Sequence, residues 1–255
     1  MAIRVGVVSE CGPIRRSNQD AVYTFPNANE QAVSTEDFAC FIVCDGMGHA
    51  SEDHPFPQVV EIIRKHIAET IHEPLSLDGR VPEAEQVLGE IKAAFLKANQ
   101  FLLDQDKVLK SGVAACVTAA IYLKDQVYVG HVGDTRAYKL TNGTIQQLTR
   151  DHTFRDDLVT IVESFTPEPE KPPYRMVLYR ALGMSENMEF DLLTYPISKG
   201  DGLLLCSDGL YNYVTEYFML GAILNHPPQA AAERLVALAV EHGSNDNISV
   251  IVAAL

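Results

Sequence analysis

At 255 residues, with 47% hydrophobic and 21% charged residues, the chain has the composition of a folded protein able to bury a stable core without disulfides. Its net charge of −14 argues against a nucleic-acid partner, because gripping phosphate backbones draws on clustered Lys and Arg. No apolar segment approaches the ~20 residues of a membrane helix, and the start, MAIRVGVVSE, lacks signal-peptide features. The reading is a cytoplasmic protein with no membrane partner.

Short runs rich in β-branched and aromatic residues predict strands at Ile3–Val8, Ala21–Phe25 and Phe38–Cys44. Apolar residues near the 3.6-residue period predict helices over Pro57–Ile71 and Glu83–Leu103. Between them Pro74–Pro82, with Gly79, predicts a loop. Strands return at Val113–Leu123, Gln126–Val132 and Arg136–Leu140, the last followed by an Asn142-Gly143 hairpin turn. His152–Val162 has a helical pattern. The proline- and charge-rich Thr166–Tyr174 then forms an exposed loop, read equally as a surface excursion or a substrate-facing flap.

Leu203–Cys206 predicts a buried strand, Glu216–Leu224 and Gln229–His242 two helices, and Ile248–Ala253 a closing strand. Strands interleaved with helix pairs, without regular β-α-β alternation, indicate one α+β layered domain spanning 1–255. The cysteines (Cys11, Cys40, Cys44, Cys116, Cys206) are odd in number and most lie in apolar runs, which reads as free thiols. No apolar helix stripe stands out as a dimer surface, so the chain reads as a monomer.

The informative feature is the setting of certain aspartates. Asp45 ends an apolar strand before Gly46-Met47-Gly48, and Asp208 ends LLLCS before Gly209. Asp246 precedes the last strand, Asp134 lies between strands in Gly133-Asp134-Thr135, and Asp20 closes Asn18-Gln19-Asp20. A carboxylate at the mouth of a buried strand loses solvation, and a hard divalent cation compensates for that loss. A single Asp-Gly reads as a tight turn; several at strand ends point towards a metal centre.

The ordered set Arg15-Arg16-Ser17-Asn18-Gln19-Asp20, Asp45-Gly46-Met47-Gly48, Val132-Gly133-Asp134-Thr135-Arg136-Ala137-Tyr138, Leu148-Thr149-Arg150-Asp151-His152-Thr153, Arg180-Ala181-Leu182-Gly183, Leu205-Cys206-Ser207-Asp208-Gly209-Leu210 and Asp246-Asn247-Ile248-Ser249 resembles the type-2C (PPM) protein serine/threonine phosphatases of bacterial type. The match runs from about residue 12 to the C-terminus. The resemblance implies a four-layer α-β-β-α sandwich with two central, mostly antiparallel sheets and a metal centre at one edge. It also implies hydrolysis of phosphoserine and phosphothreonine in proteins, reversing Ser/Thr kinase signalling, with a phosphorylated kinase among the substrates.

The implied cofactors are two Mn2+ or Mg2+ ions and a third, looser one, which activate water and neutralise phosphoryl charge. By resemblance Asp45 bridges two metals, the Gly46 carbonyl ligates the second, Asp208 and Asp246 complete the first, and Asp20 holds the second directly or through water. Asp134 matches the third-metal residue. Arg15, preferred over its neighbour Arg16, matches the phosphate-binding arginine. His49 is the candidate general acid, with His54 as a rival.

The sequence departs from the family at Ser51–Pro57, where small residues are usual, at Gly112-Val113-Ala114 in place of Gly-Thr-Thr, and at Gln19. A flap over about 151–180 is implied beside the active site, where Arg155, Lys171 and Arg175 are placed to meet a phosphopeptide. A catalytically silent binding module and a hydrolase of small phosphoesters stay open as alternatives.

Overall fold

Successive side chains of a strand point to opposite faces, so a strand buried on both faces sits between two layers. The run Phe38–Met47 is such a strand: Cys40, Ile42 and Cys44 enter one core while Ala39, Phe41 and Val43 enter another. The computed structural model describes residues 3–27, 38–48, 54–110, 112–154 and 177–255.

Two five-stranded sheets organise these residues. The first runs β1 (Arg4–Glu10), β10 (Ile248–Ala254), β9 (Gly202–Cys206), β6 (Arg136–Thr141), β7 (Thr144–Gln147). The second runs β2 (Asp20–Phe25), β3 (Phe38–Met47), β4 (Ala114–Leu123), β5 (Gln126–Val132), β8 (Asp191–Pro196). Every neighbouring pair is antiparallel. Helices α1 (Phe56–Ile67), α2 (Glu73–Asp78) and α3 (Ala84–Leu109) belong to the second sheet's outer side. Helices α4 (Asp208–Tyr211), α5 (Glu216–Asn225) and α6 (Pro228–Glu241) belong to the first sheet's.

Three apolar cores separate the layers. Ile63, Ile91 and Phe95 pack on β3–β5, Phe41 and Val129 meet Leu205 and Ile251 between the sheets, and Leu235 and Ala239 pack on Leu204 and Val250. This is the α-β-β-α sandwich that the resemblance implies. All five cysteines are free thiols.

Two readings need correction, and one strand was not foreseen. Residues Glu73–Asp78 are helical, not a loop: the turn widens to a π-helix over Ala68–His72, and Pro74 falls in the first turn of the next helix, where a missing N–H costs nothing. Gly79 then ends α2 in the left-handed region, φ 63°. Strand β8 went unread because DLLTYP is half-buried and has no long apolar run. Finally, α5 does expose an apolar stripe, with Tyr217, Phe218 and Leu224 all open to solvent. The flap and the helix read at His152–Val162 lie mainly at 155–176, outside the described residues, with Arg155, Lys171 and Arg175.

Candidate metal centre

The order of strands brings distant aspartates to one edge. Asp20 opens β2 and Asp45 lies opposite it on β3 in antiparallel register. Asp208 starts α4 just after β9, and Asp246 lies two residues before β10, the strand paired with β9. Asp134 sits in the turn between β5 and β6. The sheets are tied together at this edge: Ser207 Oγ donates to Asp20 Oδ2 at 2.8 Å and accepts the Ser249 amide at 3.0 Å.

Close packing explains two of the adjacent glycines. A Cβ on Gly209 would lie 2.0 Å from the Asn247 carbonyl oxygen, so only glycine lets those two backbones approach, and one on Gly46 would lie 2.1 Å from the buried Phe56 ring.

The acids bear on one another electrostatically. Burial and the charges of Asp20, Asp208, Asp134 and Asp246 push the Asp45 carboxyl well above the usual range. Burial, then Asp134, Asp246 and Asp20, push Asp208 up to about 8. Burial raises Asp20 to about 6 against the opposing hydrogen bonds of Ser249 and Ser207, and burial also raises Asp134. Carboxylates so placed resist ionisation until a cation joins them.

Arg15 is exposed, and its Nη2 donates to Asp246 Oδ2 at 2.6 Å. Its loop is fastened by Asn247, whose Nδ2 donates to the Cys11 and Ser17 carbonyls at 2.9 and 3.0 Å. Asn247 Oδ1 accepts the Gln19 amide at 2.9 Å. His54, just before α1, contacts the same loop: its Nε2 donates to the Asn18 carbonyl at 2.7 Å, and in the neutral ring Nδ1 is then an acceptor. His49 lies outside the described residues.

Among the described residues, no three His, Cys, Asp or Glu side chains are already gathered at metal-ligating spacing. The acids take protein partners instead: Asp246 takes Arg15, Asp20 takes Ser207, and Asp208 accepts from Asn212 Nδ2 at 3.1 Å. Even so, Asp20 Oδ1 is buried with no partner, as are Gln19 Nε2 and His54 Nδ1. A buried, orphaned carboxylate oxygen inside a cluster of mutually repelling acids fits a hard divalent cation.

The protein phosphatase 2C family model matches residues 6–158. The chain belongs to the protein phosphatase 2C family. It is accordingly a protein phosphatase. Serine/threonine phosphatase stp of Listeria welshimeri is 30% identical over 94% of this chain and 91% of that protein. A solved structure of the Mycobacterium tuberculosis serine/threonine phosphatase PstP/Ppp superposes with a TM-score of 0.78 at 27% identity, covering 100% of this chain and 99% of that one. The PstP catalytic domain, solved in complex with two manganese ions, gives a TM-score of 0.76 at 26% identity, covering 99% of this chain and 98% of that one.

Sequence reading gave no role to Ser207 or Asn247, although both stand inside quoted motifs beside Asp208 and Asp246. A hydroxyl and an amide adjoining strand-end acids were the available signal. Their partners, Asp20 and the Cys11–Gln19 loop, lie far away in sequence.

Proposed function

We propose that this protein phosphatase hydrolyses phosphoserine and phosphothreonine monoesters of proteins at a divalent-metal centre built by Asp20, Asp45, Gly46, Asp208 and Asp246. The observation that carries this reading is the pairing of Asp20 with Asp45 across adjacent strands, where Asp20 Oδ1 is buried without a partner. When bound, Mn2+ or Mg2+ supplies the Lewis acidity that activates water and neutralises phosphoryl charge. Asp45, with the Gly46 carbonyl beside it, Asp208, Asp246 and Asp20 would hold two ions, and Asp134 would help hold a third, looser one.

Arg15 is the phosphate clamp. Its guanidinium already lies over Asp246 and is exposed, so it turns to accept a phosphoryl group bidentately. His49 is the proton donor to the leaving alkoxide, with His54 as the rival. The substrates are phosphorylated proteins, including a Ser/Thr kinase.

We place the phosphatase in the cytoplasm as a single domain; among the described residues no helix is long and apolar enough to cross a membrane. The full set of acids counts against a silent binding module.

The test is Mn2+-dependent hydrolysis of a phosphothreonine peptide, with chelator and Asp208→Ala as controls. Turnover abolished by both supports the reading. Turnover surviving Asp208→Ala overturns the metal assignment, and activity confined to small esters overturns the protein substrate.

A further inference from the structure

Tyr211 ends α4, the short helix that Asp208 begins, and its half-buried side chain reaches the turn that carries Asp134. The phenol donates to the Asp134 carbonyl oxygen at 2.9 Å. The ring face receives the guanidinium of Arg136, whose Cζ lies 3.6 Å from the centroid. Arg136 is itself fixed: Nε and Nη2 donate to the Asp151 carboxylate at 2.9 and 2.6 Å, and Nη1 donates to the Tyr138 hydroxyl at 3.2 Å. One side chain thus holds both residues 134 and 136 of a single turn. No role assigned above uses Tyr211.

We infer that Tyr211 is a positioning residue that latches the Asp134 turn to the Asp208 helix and so sets how tightly that carboxylate pair takes a divalent cation. The inference rests on the metal-centre reading and deepens it. Two acids on separate elements move apart when free to do so, because like charges repel. Asp134 is the neighbour whose charge weighs most on Asp208. A tie between their backbones keeps them adjacent before a cation arrives, so less ordering remains to be done on binding. The tie acts on backbone and ring, and it leaves both carboxylates free to ligate.

This role separates from ordinary packing. A packing residue supports the fold with or without metal. A latch that holds repelling acids together contributes little to the metal-free fold, and its value appears on cation binding.

The experiment titrates Mn2+ into the full chain and follows the thermal midpoint of wild type, Tyr211→Phe and Tyr211→Ala. Tyr211→Phe keeps the ring over Arg136 and removes only the hydroxyl. The expected result is a Mn2+ half-effect concentration raised roughly tenfold, the equivalent of one lost hydrogen bond. The metal-free melting temperature should stay within about 2 °C of wild type. Tyr211→Ala should weaken Mn2+ further; if it fails to fold, Tyr211→Phe carries the test alone.

An unchanged half-effect concentration in Tyr211→Phe overturns the latch, as does a lowered metal-free melting temperature with Mn2+ affinity intact. If wild type itself shows no Mn2+-induced shift, the metal-centre reading falls and takes the latch with it. If wild type shifts and Tyr211→Phe matches it, only the latch falls.

Discussion

Asp20 and Asp45 are directly opposed partners on neighbouring antiparallel strands, and Ser207 from the other sheet holds the first of them by a 2.8 Å hydrogen bond. Like charges in that position destabilise a sheet. Sequence places them there at a cost to stability, which on the proposed reading a cation offsets.

The conflict has a pH signature. The folded-state pKa of Asp208 is raised to about 8, so the stability tied to its protonated form is lost as pH rises through that value. Asp45 is raised in the same sense. In chelator, the melting temperature should therefore fall by roughly 5 °C between about pH 7 and pH 9. Saturating Mn2+ or Asp208→Asn should flatten the slope. Buried His131, pushed down to about 3, works in the opposite sense, but only below its ordinary value, so this window avoids it. A chelated wild type whose stability holds or rises across the window contradicts the prediction.

Asp45→Asn should be inactive yet more stable than wild type without metal. It removes a buried acid whose ionisation four neighbouring carboxylates oppose, while keeping the side-chain shape. A gain of about 1–2 kcal/mol in chelator is expected, the usual trade between a strained site and a stable fold. Urea unfolding with and without Mn2+ checks it; a loss of metal-free stability sinks it.

Much of this was legible in the sequence, and the limits are physical. β3 announced itself because both of its faces are buried, giving the continuous run FACFIVC before Asp45. The Asn142-Gly143 turn was readable because both residues need positive φ, here 50° and 72°. Pro74 misled because proline breaks a helix interior yet suits its first turn, and the π-turn at Ala68–His72 that resets the count leaves no sequence mark. Strand-end aspartates, three of them beside glycines, pointed to the acids of the proposed site. Their supports, such as Ser207 to Asp20 across 187 positions, depend on sheet order that local pattern does not encode.

Gly209→Ala tests the close packing beneath Asp208. The added methyl would meet the Asn247 carbonyl oxygen at 2.0 Å, and backbone cannot rotate away as a side chain does. A loss of about 1–3 kcal/mol is expected, with weakened Mn2+ activation as α4 shifts. Calorimetric melting and Mn2+-dependent turnover read both effects; wild-type values for both would refute it.

Arg15 should matter to substrate rather than to metal. Arg15→Ala should lower kcat/KM for a phosphothreonine peptide by roughly a hundredfold, and Arg15→Lys should recover little of it, since an ammonium lacks the fork. The Mn2+-induced thermal shift should persist in both variants. Loss of that shift would instead make the Arg15–Asp246 pair a structural prop.

If these aspartates form one cation-binding centre, tight Mn2+ binding requires Asp45. Calorimetric titration of Mn2+ into metal-free protein should give about two tight equivalents in wild type and their loss in Asp45→Asn. Equal binding by both proteins, or none by wild type, would rule the centre out.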